Sequence, residues 1–275
     1  MTPAMVVTML WVLFAGSHIG LAVLRARLVA RLGEIGFTLV FYLVAAVSFA
    51  ALVTYYAAHR FAGAPGIGLG QMSGVRGLLI AVAVFGLALS IPGLTSYARL
   101  PSALFGQPVR GVRGIERVTR HPFFAGTALF AGAHVLLATH LVGTVFFAGL
   151  LLLAVVGTWH QDRKLLARRG PAYASYLAAT SAVPFAAILA GRQGLAWREL
   201  PLGAFAVGVA LAVAARAWHD SLFAAGGWWI VAVVVGGGTV AGINAWRRSR
   251  RLASRRDGLT DVVLAARATN PGGMR

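Results

Sequence analysis

The chain has 275 residues, 59% of them apolar and only 12% charged, with a mean hydropathy of +0.77. A soluble domain carries about a quarter charged residues, so this composition excludes one; it also excludes disorder and, with no cysteine, a disulfide framework. A formal charge of +18 points to nucleic acid on a soluble chain. On a membrane chain the positions of the arginines report topology instead.

Stretches apolar enough to span a bilayer, which takes roughly 20 residues, lie at 4–24, 36–58, 75–97, 122–140, 141–160, 199–218 and 225–246. They predict an all-α polytopic transmembrane helix bundle of about seven spans, with six as the fallback if the Ala/Val/Gly-rich sixth does not cross. The fourth and fifth are parted only around His140, Leu141 and Gly143, which reads as a tight helical hairpin. With the N-terminus outside and the C-terminus inside, 22 of the 25 Lys and Arg fall on one face, leaving Arg60, Arg76 and Arg216 opposite. A wrong span count would scramble that bias. The first span has no basic segment before it and is followed by Arg25 and Arg27, so it reads as a retained helix and not a signal peptide. The basic run from Arg247 to Arg256 reads as an anchor to anionic headgroups, with no nucleic-acid partner.

Polar residues at membrane depth are expensive and mark function by default. His18 lies in the first span within Gly16-Ser-His-Ile-Gly20, and His134 in the fourth within Gly132-Ala-His. Small neighbours allow a flat partner to approach a helix closely. A neutral imidazole offers a lone pair to iron, so two such residues on different helices point to haem b held between them; each ring bonding a neighbouring helix is the alternative. At 1.5 Å per residue, His18 is expected about 10 Å and His134 about 18 Å from the basic boundary. His121 opens the fourth span with Pro122 at a first helical position, and with Arg120 forms an Arg-His pair suited to a phosphate or carboxylate. Asp162 is expected just past the fifth helix, while Glu34 and Glu116 are expected to make interfacial pairs with nearby arginines.

The segment from Thr180 to Gln193, TSAVPFAAILAGRQ, closely resembles the signature of the NnrU membrane family, which includes the 15-cis-zeta-carotene isomerases. Asp162-Arg-Lys-Leu with Arg169-Gly-Pro-Ala-Tyr resembles the isomerase branch, and Gly16-Ser-His18 and Arg120-His-Pro fit as well. The resemblance covers roughly residues 8–222 and implies a haem-b protein with His18 and His134 as axial ligands and with Arg120 and His121 near the haem propionates. It implies cis-trans isomerisation of a polyene on reduced haem, a hydrophobic substrate and an electron donor. The isomerase branch carries a Cys three residues before the second axial His, where this chain has Ala131. That excludes thiolate exchange at the iron and leaves open a non-catalytic haem, electron or nitric-oxide-related role in denitrification. Arg120-His-Pro with Asp162, Gly170, Tyr173 and Tyr176 also loosely matches S-adenosylmethionine-dependent isoprenylcysteine and phospholipid methyltransferases, although Gln161-Asp162 stands where those have two glutamates. The expected organisation is a haem-binding bundle over 1–222, an extra span over 223–246 and a basic tail over 247–275, in a bacterial inner membrane.

Overall fold

Thr2 opens the first helix: its hydroxyl accepts from the backbone N–H of Met5, and Pro3 supplies a first helical residue with no N–H to satisfy. The structure, a computed structural model, describes residues 1–94, 109–240 and 243. Helix α1 (Pro3–Val23) is followed after Leu24 by α2 (Arg25–His59). At Gly33, φ 70° and ψ 170° break α2 in a conformation open essentially only to glycine, so residues 25–32 form a separate basic stretch before the apolar span. Next come α3 (Ser73–Gly93), α4 (Pro122–Leu137), α5 (Leu141–Arg169), α6 (Pro171–Ala179), α7 (Leu202–Ala217) and α8 (Trp228–Val240). The described residues contain no β-strand.

The fold is therefore an all-α membrane bundle. By length and composition α1, α2, α3 and α5 can cross a bilayer, while α4, α7 and α8, at 10–17 residues, occupy the other expected spans as shorter apolar helices. The fourth–fifth hairpin is present, with only Ala138–His140 between α4 and α5. Its link is tied to the α2–α3 connection by Gly66 N–H to Thr139 O (2.9 Å), Gly68 N–H to Ala138 O (2.9 Å) and Leu141 N–H to Ala64 O (2.8 Å). The fifth helix differs from expectation, continuing past His160 to Arg169. Asp162 thus lies on a helix and not beyond one. The basic stretch from Arg25 is likewise helical.

The molecule divides into two compact units, Met1–Ala232 and Val233–Arg275. In the second, the described residues 233–240 are helical and mostly exposed. In the first, α2 packs on α1, α1 on α5, α5 on α4, α4 on α3, and α3 on α7. Where no hydrophobic force drives helices together, small residues set their approach. A Cβ on Gly86 would come within 2.6 Å of Gly126 O and Phe130 N at the α3–α4 crossing. On α7, a Cβ on Gly208 would come within 2.6 Å of Ala88 Cα. Large apolar side chains face outward, Leu39 at 65% and Leu152 at 64% exposure among them, as a lipid solvent permits.

Candidate functional site

The segment before α4 and the Thr180–Phe185 turn lie side by side at the basic end of the bundle. Arg120 N–H donates to Ser181 O (2.8 Å), Phe185 N–H to Val118 O (2.8 Å), and the Thr119 hydroxyl to Ala182 O (2.7 Å). Phe185 takes a left-handed φ of 64° to make this turn. The Arg192 guanidinium reaches back to Ala178 O (2.7 Å) and Thr180 O (3.0 Å), satisfying carbonyls at the end of α6. The Thr180–Gln193 segment thereby fixes the position of Arg120 and His121.

Asp162, on the extension of α5, is the knot of this assembly. Its Oδ2 accepts from Arg120 Nε (3.0 Å) and Nη2 (2.7 Å). Its Oδ1 lies 2.6 Å from His121 Nε2 and accepts from the Tyr173 hydroxyl at 2.8 Å. Side-chain exposures of 15% for Arg120, 2% for His121 and 14% for Asp162 take the group out of bulk water, where charge-assisted bonds are strong. Both carboxylate oxygens are engaged within the protein.

Beside the knot, Glu116 pairs with Arg110, and at 1% side-chain exposure it is a buried acid where a surface pair was expected. Burial, followed by the neighbouring Glu116 carboxylate, pushes the Tyr176 hydroxyl well above the usual phenol range, so it stays protonated. Glu199 sits in a bidentate contact with Arg117 (3.0 and 3.1 Å) and accepts from Gly114 N–H (2.9 Å). The hydrogen bonds from Arg117, then from Gly114, hold its carboxyl below the ordinary range. Glu34 pairs with Arg25 at 2.6 Å on an exposed surface, as expected.

The two intramembrane histidines face different interfaces. His134 Nδ1 lies 2.8 Å from Phe130 O, and the ring packs against Phe130 and Phe147 at 4.2 and 4.5 Å between centroids. An Nδ1–H held by a carbonyl leaves Nε2 as the lone-pair atom, the arrangement that orients a metal-binding imidazole. His18 packs against Phe14 and Phe41 at 5.7 and 4.6 Å, and its Nδ1 is buried with no hydrogen-bond partner. A Cβ on Gly16, Gly20 or Gly132 would meet nothing within 4 Å, so both rings have open backbone beside them.

Each ring alone suits an axial ligand of haem, His134 through its anchored Nδ1 and His18 through a buried Nδ1 without a partner. Helix α5 packs on both α1 and α4. Its α1 side carries Val145, Gly149, Leu152 and Val156, which line an apolar crevice of about 360 Å³ with Trp11 and Ile19. Phe147, beside His134, is turned roughly half a revolution from those residues at 3.6 residues per turn. Trp11 is level with Phe146 and Gly149, so His18, seven residues further on, lies about 10 Å nearer the basic end than His134. Arg120 and His121 are also remote: α4 carries His134 about 20 Å from His121 at 1.5 Å per residue. Their partner in the structure is Asp162. Among the described residues no group of three or more His, Cys, Asp or Glu is clustered as for a metal ion.

Tyr173, Thr180 and Arg192 were not singled out as site residues from the sequence. Tyr173 stands in the sequence both in Arg169-Gly-Pro-Ala-Tyr and in the methyltransferase-like pattern, with nothing there to say that it meets Asp162.

The helices and the buried polar knot at their basic end define a multi-pass, all-α membrane protein whose matching region is the bundle itself. Residues 6–226 match the NnrU protein family, and the chain belongs to it. It is similar to the chloroplastic 15-cis-zeta-carotene isomerase of Arabidopsis thaliana, 32% identical over 197 residues, covering 70% of this chain and 53% of that protein. The chloroplastic 15-cis-zeta-carotene isomerase of Zea mays is 30% identical over 192 residues, covering 69% and 52%. The chain spans about half the length of these curated relatives. No solved structure matches it.

Proposed function

We propose that the chain is a membrane isomerase that converts a cis double bond of a long apolar polyene of the zeta-carotene kind. The observation that carries this reading is the alignment of its bundle with two zeta-carotene isomerases at 30% identity or above. Lipid-facing helices suit a substrate that does not dissolve in water. In this reading Asp162 locks Arg120, His121 and Tyr173 so that α4, α5 and α6 keep a fixed register below the reaction region.

Haem b belongs to the proposal as cofactor, with His18 and His134 as candidate axial ligands. His134 is the better oriented, its Nδ1 anchored on Phe130 and its Nε2 left for the metal. Bound haem would supply exchange of electron density with the polyene, which lowers the bond order of the double bond being turned. The residues around His134 hold the ring, through Phe130 and Phe147, and exclude water from it.

Supplying 15-cis-zeta-carotene to a strain producing the protein, with isomers separated by chromatography, tests the activity. Conversion to the trans form at that bond is expected, and an unchanged profile with membrane-inserted protein removes the isomerase reading. A second reading, a non-catalytic haem or electron carrier in denitrification, is favoured by the fully buried Ala131 where the isomerase branch carries Cys. A Soret band without isomerisation would select it.

A further inference from the structure

Positive charge collects at the basic end of α1 and α5 in a way the isomerase reading does not use. The two helices run parallel, with Trp11 beside Gly149 and with Ile19 and Val156 in one crevice. Carried on by one to two turns, this register brings Arg25 and Lys164 to about the same level. Lys164 is half-buried, and it feels the like charges of Arg168 and Arg25. Among the described residues no ion pair or hydrogen bond serves the Lys164 ammonium. The nearest acid in sequence, Asp162, is turned to the other side of α5 and engaged by Arg120, His121 and Tyr173. Glu34 is engaged by Arg25 across the break at Gly33.

Like charges gathered on a partly dehydrated surface repel, and an anion placed among them removes that repulsion. At a bilayer boundary the anion in supply is a lipid phosphate, and basic recesses between helices bind such headgroups. The apolar crevice leads from Thr8 to Ile19 and Val156, with its end at Val156 about two turns from Lys164. A phosphate on Lys164 thus lies where an acyl chain from the same molecule can enter the crevice.

We propose that Lys164, with Arg25 and Arg168, binds the phosphate of an anionic phospholipid whose acyl chain lies in the α1–α5 crevice. Full-length protein in a neutral detergent, titrated with phosphatidylglycerol, phosphatidylcholine or millimolar inorganic phosphate, tests this by the thermal unfolding midpoint and by lipid retained in native mass spectra. Phosphatidylglycerol is expected to raise the midpoint of the wild type and of Lys164→Arg. Lys164→Gln should lose at least half of that rise, while Arg27→Gln, on the same face, keeps it. Equal losses in Lys164→Gln and Arg27→Gln, or an equal rise with phosphatidylcholine, would overturn the site. A rise reproduced by inorganic phosphate alone would overturn the lipid assignment in favour of a free phosphate. Should Lys164→Gln fail to fold, selective retention of phosphatidylglycerol over phosphatidylcholine by the wild type, lowered in Arg25→Gln, gives the same decision; absence of that selectivity rejects the proposal.

Discussion

Asp162 shows how one carboxylate can organise three helices. It accepts from Arg120 on the approach to α4, lies against His121 at the cap of α4 and accepts from Tyr173 on α6, while itself riding on α5. Replacing it with asparagine keeps the shape but leaves a mostly buried guanidinium with no counter-charge. Breaking a buried pair from one side is worth about 3 kcal/mol or more. Asp162→Asn should therefore lower the thermal midpoint in detergent sharply, whereas Tyr173→Phe, which removes one hydrogen bond, should lose about 1 kcal/mol. Equal, small effects would mean that the knot does not hold the helices. The histidines give a second prediction at this scale. His134→Ala and His18→Ala should each abolish or shift the Soret band of haem-loaded protein. An unchanged spectrum in both variants would remove these two rings as ligands.

Among the elements, α3 depends most on small residues, because it approaches α4 through Gly86 and Gly126 and α7 through Ala88 and Gly208. Overpacking a close crossing costs about 1–3 kcal/mol, and more where backbone must move. Gly126→Leu should accordingly destabilise the bundle more than Gly132→Leu on the same helix, where a Cβ meets nothing within 4 Å. Thermal unfolding of the two variants side by side checks this; equal shifts would deny the crossing its role. The elements also show what a sequence conceals. Apolar runs expose their own helices, and Pro122 marks the start of α4 correctly. The last turns of α5 carry Gln161, Asp162, Arg163 and Lys164, whose helical state comes from packing of Leu165 against Tyr173 and Tyr176 and not from an apolar run. Burial of Glu116 depends in the same way on Arg110 and Tyr176, brought to it by the fold. Which rings each histidine meets, Phe41 for His18 and Phe147 for His134, depends on a helix order that no local pattern encodes.

For the whole molecule, the distribution of Lys and Arg predicts which end faces which compartment. The chain contains no cysteine, so single cysteines can be introduced without a background signal. Thr139→Cys in the α4–α5 link should react with a membrane-impermeant maleimide added outside intact cells. Ser175→Cys, exposed on α6, should react only after the membrane is opened. The reverse labelling would invert the orientation, and labelling of both from outside would reject the span pattern.

The unbroken length of α5 has a mechanical consequence. From Leu141 to Arg169 it is one rod, gripped at one end by the tied α2–α3 connection and at the other by the Asp162 knot. A rod pinned at both ends, at one of them through a side chain standing off its axis, resists both tilting and turning. Phe147 and the crevice residues occupy opposite sides of that axis. A molecule seating itself on either side therefore meets a strut of fixed tilt and register.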